Sequence, residues 1–263
     1  MHTVDVSDNA TLAAVDRGNR PPLLLVHGFP LDHEVWQAQI GAFEDQRRVI
    51  APDLVGFGAS SPEGRSSLDR HADDLAALLD DRGIERAVVV GLSMGGYVAL
   101  SMWRQHPSRM AGLVLVASRA GGDVEANRAA RYQMSIAVKD KGVGPIADAL
   151  LPRMLSEDAA PETREALREM MHRQPADGVV AALRAMAARP DSGPDLPTVD
   201  VPTLIVTGDE DAIISVASSE AMAAAIPNAE LKVVPGAGHI VNMEEPGAFN
   251  ALLRSFLERV DAR

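Results

Sequence analysis

The residues best suited to chemistry in this chain lie in segment 91–95 (GLSMG), which has the pattern G-x-S-x-G. The segment follows the apolar, β-branched run 87–90 and precedes 97–103, which has helical character. Between a strand and a helix, this pattern predicts a sharp turn that holds the serine hydroxyl clear of the sheet edge. The same pattern also fits a turn whose serine only caps the helix. Ser93 is therefore a candidate nucleophile that must be supported by other groups.

A serine hydroxyl becomes an effective nucleophile at neutral pH only when a base lies within hydrogen-bond reach, and a histidine base needs an acid to orient it. Among the seven histidines, His239 is the candidate base, because it ends the glycine-containing loop 235–239 directly after a predicted strand. The preceding predicted strand leads into 208–211 (GDED), so Asp209 and Asp211 are both candidate acids at the same edge of the sheet.

Attack on a carbonyl also requires backbone N–H groups that stabilise the oxyanion. One such group is expected on Met94, the residue after the nucleophile, and a second in 27–30 (HGFP), which follows an apolar run. Phe29 is the predicted second donor, with Gly28 as the alternative, because the proline that follows has no N–H. His27 is expected to brace this loop by hydrogen bonding.

The elements that must position these groups alternate between strand and helix up to residue 117, which indicates βαβ units in a parallel sheet. Residues 1–20 fit a short edge hairpin. Predicted strands are 23–26, 49–51, 87–90, 113–117, 203–207 and 231–234, and predicted helices are 34–44, 68–82, 97–103, 216–226 and 246–260. The sequence therefore predicts an α/β fold with helices on both faces of the sheet.

Between residues 119 and 197 the pattern changes, because no β-like run occurs there. The helical segments predicted in this region are 123–139, 143–151, 161–173 and 177–188. We predict a core formed by 1–118 and 198–263, interrupted by a helical cap over 119–197.

The cap region contains five of the chain's 11 methionines. Methionine packs adaptably, so Met134 and Met154 are predicted to line an apolar substrate pocket, together with Ile240 beside the predicted base. The alternative is that the methionines are ordinary core residues of the helices.

The composition limits the classes of protein and of partner. The chain has 263 residues, of which 46% are hydrophobic and 24% charged, as in ordinary globular proteins. A formal net charge of −12 argues against nucleic acid and anionic membranes as partners. The chain has no cysteine, which excludes thiol catalysis and cysteine-bound metals.

Targeting, metal and cofactor motifs are also missing from the sequence. The first residues have no signal-peptide character, and no apolar run reaches the length of a membrane span. The patterns H-x-H-x-D, H-E-x-x-H, G-x-x-x-x-G-K-[ST] and G-x-G-x-x-G do not occur. We expect a cytoplasmic protein that uses no metal or cofactor, and we leave its oligomeric state open.

Taken together, these segments resemble the α/β-hydrolase-fold family, in the subgroup of carboxylesterases, 3-oxoadipate enol-lactonase-like enzymes and cofactor-free haloperoxidases. The matching segments occur in the family's order at 27–32 (HGFPLD), 52–60 (PDLVGFGAS), 91–96 (GLSMGG), 208–211 (GDED) and 236–239 (GAGH). The family's order of nucleophile, acid and base is also that of Ser93, the aspartate and His239. The chain differs from the family at Ser215, since a proline is usual four residues after the acid.

The resemblance implies Asp211 as the acid, with Asp209 as the alternative. It also implies a cofactor-free serine hydrolase that cleaves an ester or lactone of a small, mainly neutral substrate through an acyl-enzyme. Perhydrolase or haloperoxidase activity and C–C bond hydrolysis use the same triad and are alternatives, as is a non-catalytic receptor for a small molecule.

Overall fold

An eight-stranded sheet forms the centre of the protein in a computed structural model that describes residues 1–262. The strands are β1 (His2–Asp5), β2 (Thr11–Arg17), β3 (Pro22–Val26), β4 (Arg48–Asp53), β5 (Ala87–Leu92), β6 (Met110–Val116), β7 (Thr203–Gly208) and β8 (Ala229–Val234). Their order across the sheet is β1-β2-β4-β3-β5-β6-β7-β8. The first two strands form the predicted antiparallel hairpin, β2 pairs with β4 antiparallel, and every later pair is parallel.

Helices cover both faces of this sheet, as the unbroken apolar runs predict. All six residues of β5 are buried, because an inner parallel strand is covered from both sides. The helices are α1 (Gln37–Phe43), α2 (Leu68–Asp81), α3 (Met94–Gln105), α4 (Glu125–Lys141), α5 (Gly144–Met154), α6 (Pro161–His172), α7 (Ala176–Ala188), α8 (Val216–Ala225), α9 (Val241–Glu244) and α10 (Pro246–Asp261). No helix within residues 1–262 is both long and apolar enough to cross a membrane.

The predicted helices agree with the structure to within two residues at their starts, except for the helix predicted at 97–103, and the helix predicted at 34–44 differs in type over its first turn. The predicted helix 34–44 begins as a 3₁₀ turn at His33–Trp36, because the Asp32 carboxylate accepts the N–H of Glu34 at 3.0 Å and caps that turn. The helix predicted at 97–103 begins earlier, at Met94, directly after the candidate nucleophile. The short helix α9, directly after the histidine loop, was not predicted.

The four inserted helices (α4–α7) lie in the chain between β6 and β7, in the region where only helices were predicted. They pack as α4 on α7, α5 on α6 and α4 on α5, and α7 also contacts α2 of the core. The predicted core segment 198–263 ends at Arg263, which lies outside the described residues.

Candidate active site

Ser93 lies in a strained turn between β5 and α3. Its backbone has φ +52° and ψ −110°, a conformation that residues other than glycine rarely adopt and that costs about 1–3 kcal/mol. The start of α3 lies close to the end of the neighbouring strand β3, since a Cβ placed on Gly95 would lie 2.3 Å from the carbonyl oxygen of Val26. The N–H of Ser93 donates to Val116 O at 2.8 Å, and the Ser118 hydroxyl donates to Ser93 O at 2.9 Å. The fold therefore maintains the strained turn from both sides.

The Ser93 side chain does not cap the helix that follows it. Its hydroxyl accepts no N–H from the first turn of α3. This contradicts the interpretation of the motif as a simple capped turn and leaves the partly buried hydroxyl available for other contacts.

His239 pairs with Asp211 and not with Asp209. The imidazole Nδ1 lies 2.8 Å from Asp211 Oδ2, and both side chains are buried. The other oxygen of Asp211 accepts the N–H groups of Ile213 at 2.7 Å and Ile214 at 2.9 Å, which fixes the carboxylate. Asp209 instead accepts the N–H of Gly236 at 2.7 Å. A carboxylate on Nδ1 places the ring proton there and leaves Nε2 free to act as a base.

Ser93 follows β5 and His239 follows β8, and the two strands between them in the sheet, β6 and β7, connect their loops through a series of contacts. Ser93 bonds to the end of β6, and Ala117 N–H donates to Val206 O of β7 at 2.8 Å. A Cβ on Gly208 would lie 2.0 Å from Ala237 O, within the histidine loop. No hydrogen bond joins Ser93 Oγ to His239 Nε2 in residues 1–262. Such bonds are often long before substrate binds.

The backbone N–H groups of Phe29 and Met94, the predicted oxyanion donors, have no acceptor within the described part of the chain. The N–H of Gly28, the alternative donor, has none there either. The loop of Phe29 lies against the nucleophile, because a Cβ on Gly28 would be 3.3 Å from Ser93 Cβ. Unpaired N–H groups beside a nucleophile are able to bind a developing oxyanion.

His27 holds the orientation of the Phe29 N–H. Its Nε2 accepts the N–H of Leu54 at 2.9 Å, so its Nδ1 carries the proton and donates to Gly28 O at 2.8 Å. Gly28 O also accepts the N–H of Leu31 at 3.1 Å. Gly28 O and Phe29 N–H belong to one peptide plane, so fixing the oxygen fixes the N–H. Burial lowers the pKa of His27 and favours the neutral ring that this arrangement needs.

The structure brings two of the three predicted pocket residues to the histidine loop. The carbonyl oxygen of Met154, the last residue of α5, accepts the N–H groups of His239 at 3.1 Å and Ile240 at 3.2 Å. Met154 and Ile240 are buried, whereas Met134 on α4 is partly buried and packs against the core. Their role as pocket residues stays a prediction.

A polar cluster beside the oxyanion loop was not recognised in the sequence. Asp53 Oδ1 lies 2.7 Å from His33 Nδ1, and Asp53 Oδ2 accepts the N–H of Ala59 at 2.9 Å. Burial raises the pKa of Asp53, but the hydrogen bond and charge of His33 outweigh burial and lower it overall. Burial likewise lowers the pKa of His33, yet Asp53 raises it overall.

The same cluster connects the inserted helices to the core. Asp32 accepts Arg173 Nε at 2.9 Å and Gln174 Nε2 at 2.9 Å, and Gln174 Oε1 accepts the N–H of Gly58 at 3.0 Å. Asp32, His33 and Asp53 have ligand atoms within 4.8 Å of one another, a spacing that a metal ion could bridge. The guanidinium of Arg173 already neutralises Asp32, so the cluster fits an ion-pair network better than a metal site.

Comparison with known proteins assigns the family. A model of the alpha/beta hydrolase fold matches residues 21–246. The chain belongs to the alpha/beta hydrolase fold family. This confirms the resemblance of the five segments and the predicted fold class.

Three relatives of this alpha/beta hydrolase are informative. A solved structure of a thermophilic esterase from Thermogutta terrifontis has 40% identity and a TM-score of 0.96, with 99% of each chain covered. The 3-oxoadipate enol-lactonase 2 of Acinetobacter baylyi is 32% identical, over 94% of this chain and 92% of that protein. A dihydrolipoyllysine-residue acetyltransferase component of an acetoin cleaving system from Pseudomonas putida is 37% identical, but the chain spans only 64% of its length.

Proposed function

We propose that this protein is a serine hydrolase that cleaves a carboxylic ester or lactone of a small, mainly neutral substrate. The general class of ester or lactone hydrolase is supported by the family and by the esterase and enol-lactonase relatives. The observation that carries the finer assignment is the buried His239–Asp211 pair, 2.8 Å apart, at the same sheet edge as the strained Ser93.

In the proposed mechanism, Ser93 Oγ attacks the carbonyl carbon while His239 Nε2 takes its proton. Asp211 stabilises the imidazolium that forms, and the N–H groups of Phe29 and Met94 bind the oxyanion. The imidazolium then gives its proton to the leaving alkoxide, and an acyl-enzyme remains on Ser93. Water attacks this ester, His239 accepts its proton and returns it to Ser93 Oγ, and the acid product leaves.

Asp211 is the proposed acid because it alone of the two candidates touches the imidazole. Its second oxygen is held by two backbone N–H groups, so the carboxylate cannot rotate away without losing them. Asp209 has a different task, since its bond to Gly236 N–H holds the start of the histidine loop.

The choice of substrate is proposed to depend on the cap, 119–197, over the core formed by 1–118 and 198–263. Met154 and Ile240 lie beside the base, and we propose that they line the apolar part of the site together with Met134. The net charge of −12 disfavours polyanionic substrates. No step of the mechanism requires a metal or a cofactor.

Replacement of the nucleophile tests the proposal. We expect Ser93→Ala to lower kcat for a short-chain aryl ester by at least about 10³-fold and to abolish labelling by a fluorophosphonate, because no other group would form the acyl-enzyme. Ser108→Ala, at an exposed serine, is the matched control and should behave as the wild type. Near-wild-type turnover by Ser93→Ala would overturn the assignment.

A further inference from the structure

The loop that carries His239 is held against the end of α5 by a carboxylate with no part in the proposed proton transfers. Glu244, on α9, accepts the N–H of Gly238 with Oε1 at 3.1 Å and the N–H of Ser156 with Oε2 at 2.7 Å. Gly238 directly precedes the proposed base, and Ser156 lies two residues beyond the end of α5. One side chain therefore joins the base loop to the inserted helices.

The His239 loop and the segment after α5 pack so closely that the position of Gly238 has no room for a Cβ. A Cβ on Gly238 would lie 2.5 Å from Ser156 N and 3.0 Å from Glu244 Oε1. Beside this contact, Met154 O accepts the N–H groups of His239 and Ile240. Three consecutive N–H groups, from 238 to 240, thus bond to either Glu244 or Met154. Among the described residues 1–262, Glu244 alone joins the two segments through hydrogen bonds of its side chain.

No Lys, Arg or His forms an ion pair with the Glu244 carboxylate in residues 1–262. Both of its oxygens are instead used by backbone N–H groups, and bonds of this charge-assisted kind are stronger than neutral ones. The carboxylate also lies partly buried, where such bonds compete less with water. Its contacts are those of a residue that fixes a loop.

We propose that Glu244 is a positioning residue for the catalytic base. Its carboxylate sets the distance between the His239 loop and the end of α5, and so keeps the imidazole aligned with Asp211 and Ser93. Because the second partner is Ser156, the inserted helices contribute to the rate of the reaction as well as to the choice of substrate. This inference rests on the proposed function of His239.

The substitution Glu244→Gln tests this role, because an amide has one acceptor oxygen and its NH₂ would face one of the two N–H donors. We expect kcat for an aryl ester to fall about tenfold, the effect of losing one hydrogen bond to a charged group, with KM changed less than about twofold. Glu245→Gln makes the same chemical change at the adjacent exposed residue and should retain wild-type kinetics.

A second measurement does not depend on turnover. The imidazole N–H proton of His239 that bonds to Asp211 should give a downfield NMR resonance, identified by its loss in His239→Gln. We expect this resonance to broaden in Glu244→Gln and to stay sharp in Glu245→Gln. An unchanged resonance together with unchanged kcat would overturn the positioning role. A wild type that shows the resonance but hydrolyses no ester would instead refute the proposed function.

A merely structural role for Glu244 would give a third pattern, in which the midpoint of thermal unfolding falls while kcat per folded molecule and the resonance stay at wild-type values. That pattern would also overturn the proposal.

Discussion

His71 provides a quantitative test of how the buried core responds to pH. The residue lies on α2 with no exposed surface, and neither ring nitrogen has a hydrogen-bond partner within the described chain. Burial, assisted by the nearby His27 and Arg65, lowers the pKa of His71 from 6.5 to about 3. The folded protein therefore holds a neutral imidazole under conditions in which the unfolded chain would protonate it.

The sign and size of the effect follow from this difference. Below pH 6.5 the unfolded state binds a proton that the folded state excludes, so stability falls as the pH falls, down to about pH 3. Each pH unit below 6.5 lowers the free energy of unfolding by about 1.4 kcal/mol. Between pH 7.5 and pH 5.0, where about 1.5 units lie below 6.5, His71 therefore lowers the free energy of unfolding by about 2 kcal/mol. This is a large share of the roughly 5–15 kcal/mol that stabilises a typical domain.

The substitution His71→Leu removes the titrating group and keeps an apolar side chain of similar size. Between pH 7.5 and pH 5.0, we expect the free energy of unfolding of the variant to fall by about 2 kcal/mol less than that of the wild type. It should also be no less stable at pH 7.5, because two unpartnered buried nitrogens disappear. Urea unfolding followed by the fluorescence of the buried Trp36 and Trp103 measures both quantities.

A control on the same helix separates titration from packing. Leu75→Met perturbs the core one turn later without adding or removing a titrating group, so its stability should differ from that of the wild type by a constant at every pH. If the curves of His71→Leu and wild type also stay parallel between pH 7.5 and pH 5.0, the argument from the buried imidazole is wrong.

Two further predictions concern the site. Asp211→Asn should lower kcat by about 10³–10⁴-fold, because it disturbs the tautomer of the His239 ring. Asp209→Asn should lower kcat much less, because Asp209 bonds to Gly236 instead. Steady-state kinetics of both variants decides between the two acids. Gly95→Ala should destabilise the turn at Ser93 and abolish activity, because the new Cβ would lie 2.3 Å from Val26 O. Gly247→Ala has open space around the new Cβ, so its thermal unfolding and turnover should match those of the wild type. An active, stable Gly95→Ala variant would refute the close approach.

The strands and most helices could be predicted because their signal is local. The run at 87–90 is apolar at every position, and β5 is buried at every position. The helical pattern from residue 68 likewise matches α2, which begins after the Ser67 cap and is followed by Gly83 at φ +64°. Periodicity records which faces are buried, so it is sufficient for elements of this length.

The contacts between the loops of the site could not be predicted from the sequence, because they depend on the conformations of those loops. Asp209 and Asp211 both follow the end of β7 within three residues, so position in the sequence left both open and the family resemblance favoured Asp211. In the structure, the turn that directs the Ile213 and Ile214 N–H groups to Asp211 distinguishes them. The Arg173–Asp32 pair joins residues 141 positions apart, and no spacing rule connects them. The role of Ser215 was also not predictable from the sequence. It stands where the family usually has a proline, and its hydroxyl caps the start of α8 by accepting the N–H of Ser218.

The inserted helices contact the site on two sides, and this determines how their sequence should affect catalysis. Arg173 and Gln174 bind Asp32, five residues after the start of the oxyanion loop at His27, while Met154 and Ser156 bind the base loop and Glu244. A substitution in the insertion that only reshapes the pocket changes how substrate binds, and should act mainly on KM. One that disturbs either contact moves a group that the proposed mechanism uses in the transition state, and should act on kcat. Residues of the inserted helices are therefore expected to fall into two kinetic classes, according to whether they contact these two loops.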